Sequence, residues 1–443
     1  MDILQNIVAV IFVLGVMILV HELGHFLAAK YFDVKVEAFS FGFGPRLFGK
    51  QVGETDYRVC VLPLGGYVKM AGEQPSDEHT GDPREFLSKP RWQRLIIAVM
   101  GPAFNVMLAI GLLVGLFMVH FERLVIQQEP AILGEVESSS PAAAAGLRGG
   151  DLIIEINGRR NPTWEDVNMQ TVAAARQPVD LKIRREDREF PVTLTLGAEQ
   201  QSGIGYTGWS WRVRMQLGAN PMPGMPADQA GLMSGDVLLT IDGEEILSQG
   251  KLQHYLQEHP GKTVALEYLR DGQKRSATLT PVLHQSAEEG NAWRIGVSLQ
   301  AKYDRIITNL SFSEALEQSL DQNRKSATLI IHVLRSILQR RMSPKSIEGP
   351  IGIARLSGQA ARQGSFDLIL LMSAISLNLG IFNLLPIPIL DGGVILLLLF
   401  ESVMGRDISL PVKERIVQAG FVFLMLLFVF VIYNDIVKSL ARS

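Results

Sequence analysis

Residues 9–30 read AVIFVLGVMILVHELGHFLAAK. Two histidines and a glutamate, side chains that prefer water, interrupt a run that prefers lipid. The stretch Ile3–Val20 carries no charge and stays apolar through the motif to Ala29. That is enough for a bilayer-crossing helix, which needs roughly 20 such residues. The opening Met-Asp-Ile-Leu-Gln-Asn lacks the positive start of a secretory signal, so the run is predicted to be a retained helix. On a helix, His21 and His25 stand at i and i+4, share a face and can bind one metal ion. Glu22 lies beside them, placed to take a proton from water. Ionisable groups at membrane depth are costly and mark functional sites. A pair of core histidines bonded to neighbouring helices is the bland alternative.

Three further runs are long and uncharged: Leu95–Val119, Leu368–Leu390 and Ile416–Asn434. Ten lysines and arginines fall within residues 30–94, and Arg406, Lys413 and Arg415 lie between the last two runs. The positive-inside rule therefore predicts both loops on the cytoplasmic side, with both termini and residues 120–365 outside. Of the 443 residues, 47% are hydrophobic yet 20% are charged, which suggests apolar segments joined to soluble domains. A net charge of −3 gives no support for a nucleic-acid partner. The single cysteine, Cys60, forms no intrachain disulfide, and redox chemistry is not expected.

A metal on His21 and His25 needs a third protein ligand, and no histidine lies within another membrane run. The best candidate is Asp391 in NLGIFNLLPIPILDGG (378–393), the first acid after a long uncharged span. Pro386 and Pro388 precede it and break the helix, which a membrane tolerates only beside protein or water. Asp391 could instead merely cap a following helix. Asn383 could hold a substrate backbone or a developing oxyanion, or simply bond between helices. For Asn105 and Asn378 the interhelical bond is the preferred reading. Iron or cobalt suits the same ligands as zinc.

Between the second and third runs the sequence repeats. SPAAAAGLRGGDLIIEINGRR (140–160) aligns with MPADQAGLMSGDVLLTIDGEE (225–245) at a constant offset, 226 − 141 = 85 residues. Each copy reads as a short helix, a Gly-Asp turn, a strand and a hairpin turn. The pattern resembles tandem PDZ domains over about 170 residues, 125–210 and 211–300. It implies a groove that captures peptide C-termini or strands, or domains that only gate access. Residues 311–341 read as an amphipathic helix ending at Arg340-Arg341, either on the membrane surface or packed on those domains.

HELGH in the first run, FGFGPRLF and PLGGYVKM in the basic loop, GPAFN (101–105) in the second and NLLPIPILDGG in the third together resemble the site-2 protease family of intramembrane metalloproteases. GPIGIA at 349–354 adds to the likeness. The fold implied is a multi-pass α-helical membrane protein with four transmembrane helices, a membrane-associated β-hairpin loop and two extracytoplasmic PDZ domains. Its parts would be spans at 1–30, 94–120, 366–391 and 411–435, a re-entrant β loop at 31–93, and surface helices at 301–365. A cytoplasmic connection at 392–410 and a periplasmic tail at 436–443 complete it.

The resemblance implies zinc held by His21, His25 and Asp391, with Glu22 as general base and then acid. The β loop would pair its edge with an unwound substrate, its glycines permitting close approach, or else act only as a lid. Asn383, Pro386, Pro388, Gly65 and Gly66 are the expected substrate-positioning residues. The expected site is a bacterial inner membrane with the active site toward the cytoplasm. Expected substrates are pre-trimmed single-span proteins, an anti-sigma factor first and remnant signal peptides second. One departure is Val394, where the family often has histidine after Asp-Gly-Gly. A non-catalytic PDZ scaffold and a metal transporter remain the rival readings.

Overall fold

The computed structural model describes residues 2–73, 81–199, 203–286, 290–342 and 349–442. Two compact units emerge. One comprises residues 1–121, 308–335 and 344–443; the other comprises residues 122–307 and 336–343.

In the first unit, four helices among the described residues are long and apolar enough to cross a membrane: Leu4–Tyr31, Arg91–Val119, Ser365–Asn383 and Pro411–Val437. Their outward faces are apolar. Phe421, Leu426, Val429 and Tyr433 on the last helix are all exposed, as expected where lipid replaces water. Between the first two helices runs a long antiparallel hairpin, Val36–Val52 paired with Thr55–Met70, broken repeatedly by register shifts. Phe43, Leu47, Phe48, Val61 and Leu62 project exposed from it.

The third span and the segment after it differ from the sequence expectation. The expected span 366–391 is helical only to Asn383, so the break that the prolines announce begins there, and residues 384–390 form a tight link. Pro386 and Pro388 supply no backbone N–H, so the helical ladder cannot pass through them. Ile389 sits at φ 86°, a left-handed backbone that a β-branched residue adopts only under tertiary constraint. The expected connection at 392–410 is mostly a helix, Asp391–Met404, and the expected tail is part of the final helix, Leu410–Arg442. Gly392 permits the helix start to fold against the link, because a Cβ there would meet Leu385 O at 2.2 Å.

The amphipathic segment folds as Phe312–Leu338, ending before the Arg340-Arg341 pair. Ser311 and Glu314 cap its start reciprocally, the Ser311 hydroxyl donating to the Glu314 carboxylate. It packs along the second span through Ala315, and Ser319 Oγ donates to Ile110 O at 3.0 Å.

The second unit holds two β-rich subdomains, each with its own core, one around Trp164 and Leu133, the other around Leu252 and Leu217. Corresponding strands pair alike: 152–156 with 178–185, and 237–241 with 264–270. The repeat extends to side chains. Arg185 clasps Asp151 through two nitrogens and also donates to Gly146 O. Arg270 does the same to Asp236 and Gly231 O. Each aspartate also caps its own turn, accepting from Arg148 N in one copy and Met233 N in the other, both at 2.8 Å.

Candidate metal centre

Glycine lets the first and second spans come into close contact beside the histidines. A Cβ on Gly24 would stand 2.3 Å from Met100 O, and one on Gly101 would stand 2.2 Å from His25 Nε2. This closeness lets His25 Nδ1 donate to Ile97 O at 2.8 Å, which leaves Nε2 with its lone pair free. His21 reaches the same helix about two turns further on, its Nδ1 lying 3.1 Å from Asn105 Nδ2. Both imidazoles are buried, and their Nε2 atoms converge to 3.2 Å.

Asp391 comes to the same point from the far end of the chain. Its Oδ2 lies 3.2 Å from His21 Nε2 and its Oδ1 lies 3.3 Å from His25 Nε2. The link 384–390 delivers it: Leu390 is extended, so Asp391 opens the next helix with its carboxylate facing the histidines. Among the described residues, His21, His25 and Asp391 form a cluster whose ligand atoms all lie within 4.8 Å of one another. Two imidazole nitrogens and one carboxylate converging in a buried pocket match the donor set of a catalytic zinc site with a position left for substrate or water.

Glu22 borders a cavity of about 740 Å³ that also contains His21, His25, Asp391, Asn383 and Val394 in its wall. Val68 and Tyr67 of the hairpin form another side of it. Gly66 packs against Glu22, where a Cβ would stand 3.2 Å from Glu22 Cγ. Gly65 instead faces the Phe43 ring, so of the two glycines only Gly66 packs against Glu22. Asn383 lies beside His21, its Nδ2 3.3 Å from His21 Nε2. Pro388 packs against Gly420 of the last helix, where a Cβ would stand 2.5 Å from Pro388 Cβ. Asn105, read from sequence as an interhelical contact, makes one, and its partner is His21. Gly101 and Asn105 are spaced by four, like the two histidines they face, but the pairing of the two helices shows only in the fold.

Comparison with known proteins gives the family. The family described as Peptidase family M50 matches residues 9–427. The chain belongs to peptidase family M50. This peptidase is 31% identical to a putative zinc metalloprotease of Vibrio cholerae over 99% of both chains. It is 30% identical to the regulator of sigma-E protease RseP of Escherichia coli K12, covering 98% of each. Among solved structures, the PDZ domain of an SdrC-like protein from Listeria monocytogenes is 20% identical, covering 20% of this peptidase and 90% of that chain with a TM-score of 0.18. Membership decides between the readings left open by sequence: the chain is a site-2-type metalloprotease of the membrane.

Proposed function

We propose that this peptidase is a zinc-dependent endopeptidase that cuts single-span membrane proteins at membrane depth. The observation that carries the reading is the convergence of His21, His25 and Asp391 within the apolar helices. These three would hold the metal. Zinc there supplies Lewis-acid activation of water and of the scissile carbonyl. Glu22, beside them in the cavity wall, takes the proton from the attacking water and returns it to the departing amide nitrogen. Asn383 offers an amide N–H to the carbonyl oxygen as charge develops on it. The Thr55–Met70 strand, with Gly66 at its closest approach, would pair with an extended substrate backbone. A helix offers no free backbone groups, so extension must precede cleavage. Gly65, Pro386 and Pro388 would shape that groove.

The two similar β subdomains, 125–210 and 211–300, would be PDZ domains outside the cytoplasm, and the catalytic cluster would lie toward the cytoplasmic side of a bacterial inner membrane. The regulators of sigma-E protease among its relatives support an anti-sigma factor as substrate, with remnant signal peptides as a secondary class.

The test is cleavage of a model single-span substrate by purified protein in detergent, natural chain against Glu22→Gln, with zinc counted in both. Cleavage by the natural chain alone, with zinc retained in the variant, is the expected result. Equal cleavage by both would overturn the mechanism.

A further inference from the structure

A neutral imidazole has one ring proton to place, and its position decides which nitrogen can serve as a ligand. His25 is provided for: its Nδ1 donates to the Ile97 carbonyl, an atom that can only accept. Among the described residues His21 has no such carbonyl. The group that meets its Nδ1 is the Asn105 carboxamide, at 3.1 Å and fully buried. With the amide NH₂ turned toward Nδ1, the proton moves to Nε2, which then donates to Asp391 Oδ2 and has no lone pair for a cation. In that orientation Asn105 Oδ1 is buried without a partner. A half-turn of the carboxamide brings this orphaned oxygen to Nδ1, where it accepts the proton and leaves Nε2 free.

We propose that Asn105 is a positioning residue that sets the tautomer of His21, holding Nε2 open toward His25 and Asp391. The inference rests on the metal-site reading above and concerns how that site is made ready. Its backbone is held firmly enough for such a task. Ser376 Oγ donates to Asn105 O at 2.8 Å, and Ser373 Oγ donates to Ala109 O one turn later at 3.0 Å. Gly380 lets the third span come close beside Asn105, a Cβ there standing 3.0 Å from Pro102 O and 3.2 Å from Val106 Cγ2. The second span thus carries both orienting groups, Ile97 O for His25 and the Asn105 amide for His21. Hydrogen-bonded partners of this kind fix ring orientation and raise metal affinity.

The experiment compares the full-length protein in detergent with Asn105→Leu and Asn105→Asp, measuring Zn²⁺ affinity by chelator competition and the unfolding temperature of each metal-free protein. Leucine fills similar space without an acceptor; aspartate keeps the acceptor and loses the donor. The expected result is affinity weakened about 10- to 100-fold in Asn105→Leu, undiminished affinity in Asn105→Asp, and similar metal-free unfolding temperatures. If leucine does not fold at this position, Asn105→Ala takes its place with the same expectation. Loss in Asn105→Asp equal to that in Asn105→Leu would overturn the proposal, because packing rather than an acceptor would then be what matters. Undiminished affinity in both variants would overturn it too, while leaving the metal site standing. A natural chain that binds no zinc would overturn the metal-site reading and this inference together.

Discussion

Gly101 packs its Cα directly against the imidazole of His25, leaving no room for a methyl group: a Cβ would stand 2.2 Å from Nε2. Gly101→Ala is therefore expected to displace the ring and lower turnover by roughly 100-fold, the scale of a misplacement near 1 Å. Gly115→Ala on the same helix meets nothing within 4 Å and serves as the control. Rates and zinc content measured side by side decide the matter, and equal activity in the two variants would show that the ring is not held from this side.

Asp236 is buried and its carboxylate is clasped by Arg270. Arg270→Ala leaves that charge without its partner, and the second β subdomain should lose about 3 kcal/mol. Arg185→Ala should do the same to the first subdomain through Asp151, somewhat less because Arg185 is the more exposed of the two arginines. Urea unfolding followed by tryptophan fluorescence reads both, and an unchanged midpoint in either would refute the account for that copy.

Glu401 is fully buried. Lys413 Nζ lies 2.6 Å from its Oε1, which also accepts from Ile408 N. This pair ties the Asp391–Met404 helix to the final helix. Lys413→Met should destabilise the protein by about 3–5 kcal/mol, whereas adding Glu401→Gln should recover most of the loss. Thermal unfolding in micelles completes the cycle; additive losses would mean the pair does not interact.

Outside the spans, hydrogen bonds from Arg84 and then Lys30 hold the Glu54 carboxyl down to about 2, against an ordinary 4.5. A depressed carboxyl favours the fold above its ordinary value, and that contribution disappears as pH falls through about 2. The hairpin turn beside Glu54 should therefore stay tethered at neutral pH and loosen between about 4.5 and about 2. The carboxyl carbon shift of Glu54 followed by NMR gives the midpoint. Arg84→Gln should raise that midpoint, and an unmoved midpoint would exclude Arg84 as the cause.

Sequence alone determined what depends on short-range periodicity. The uncharged runs specified apolar helices because twenty apolar residues have one stable arrangement in lipid. The spacing of His21 and His25 put them on one face because a helix turns every 3.6 residues. The offset of 85 foretold two like subdomains, since like sequences fold alike.

Tertiary structure decided what depends on close approach between distant segments. The third helix stops at Asn383 and a second begins at Asp391, a break that the prolines announced without fixing its extent. Gly65 and Gly66 look alike in sequence, yet only Gly66 meets Glu22, because register and hairpin irregularity choose the facing residue. Asn105 reads as an ordinary polar residue until Gly24 and Gly101 draw the first two spans together and place it on His21. No local pattern encodes which helix faces which; that depends on where side chains are small enough for two backbones to touch.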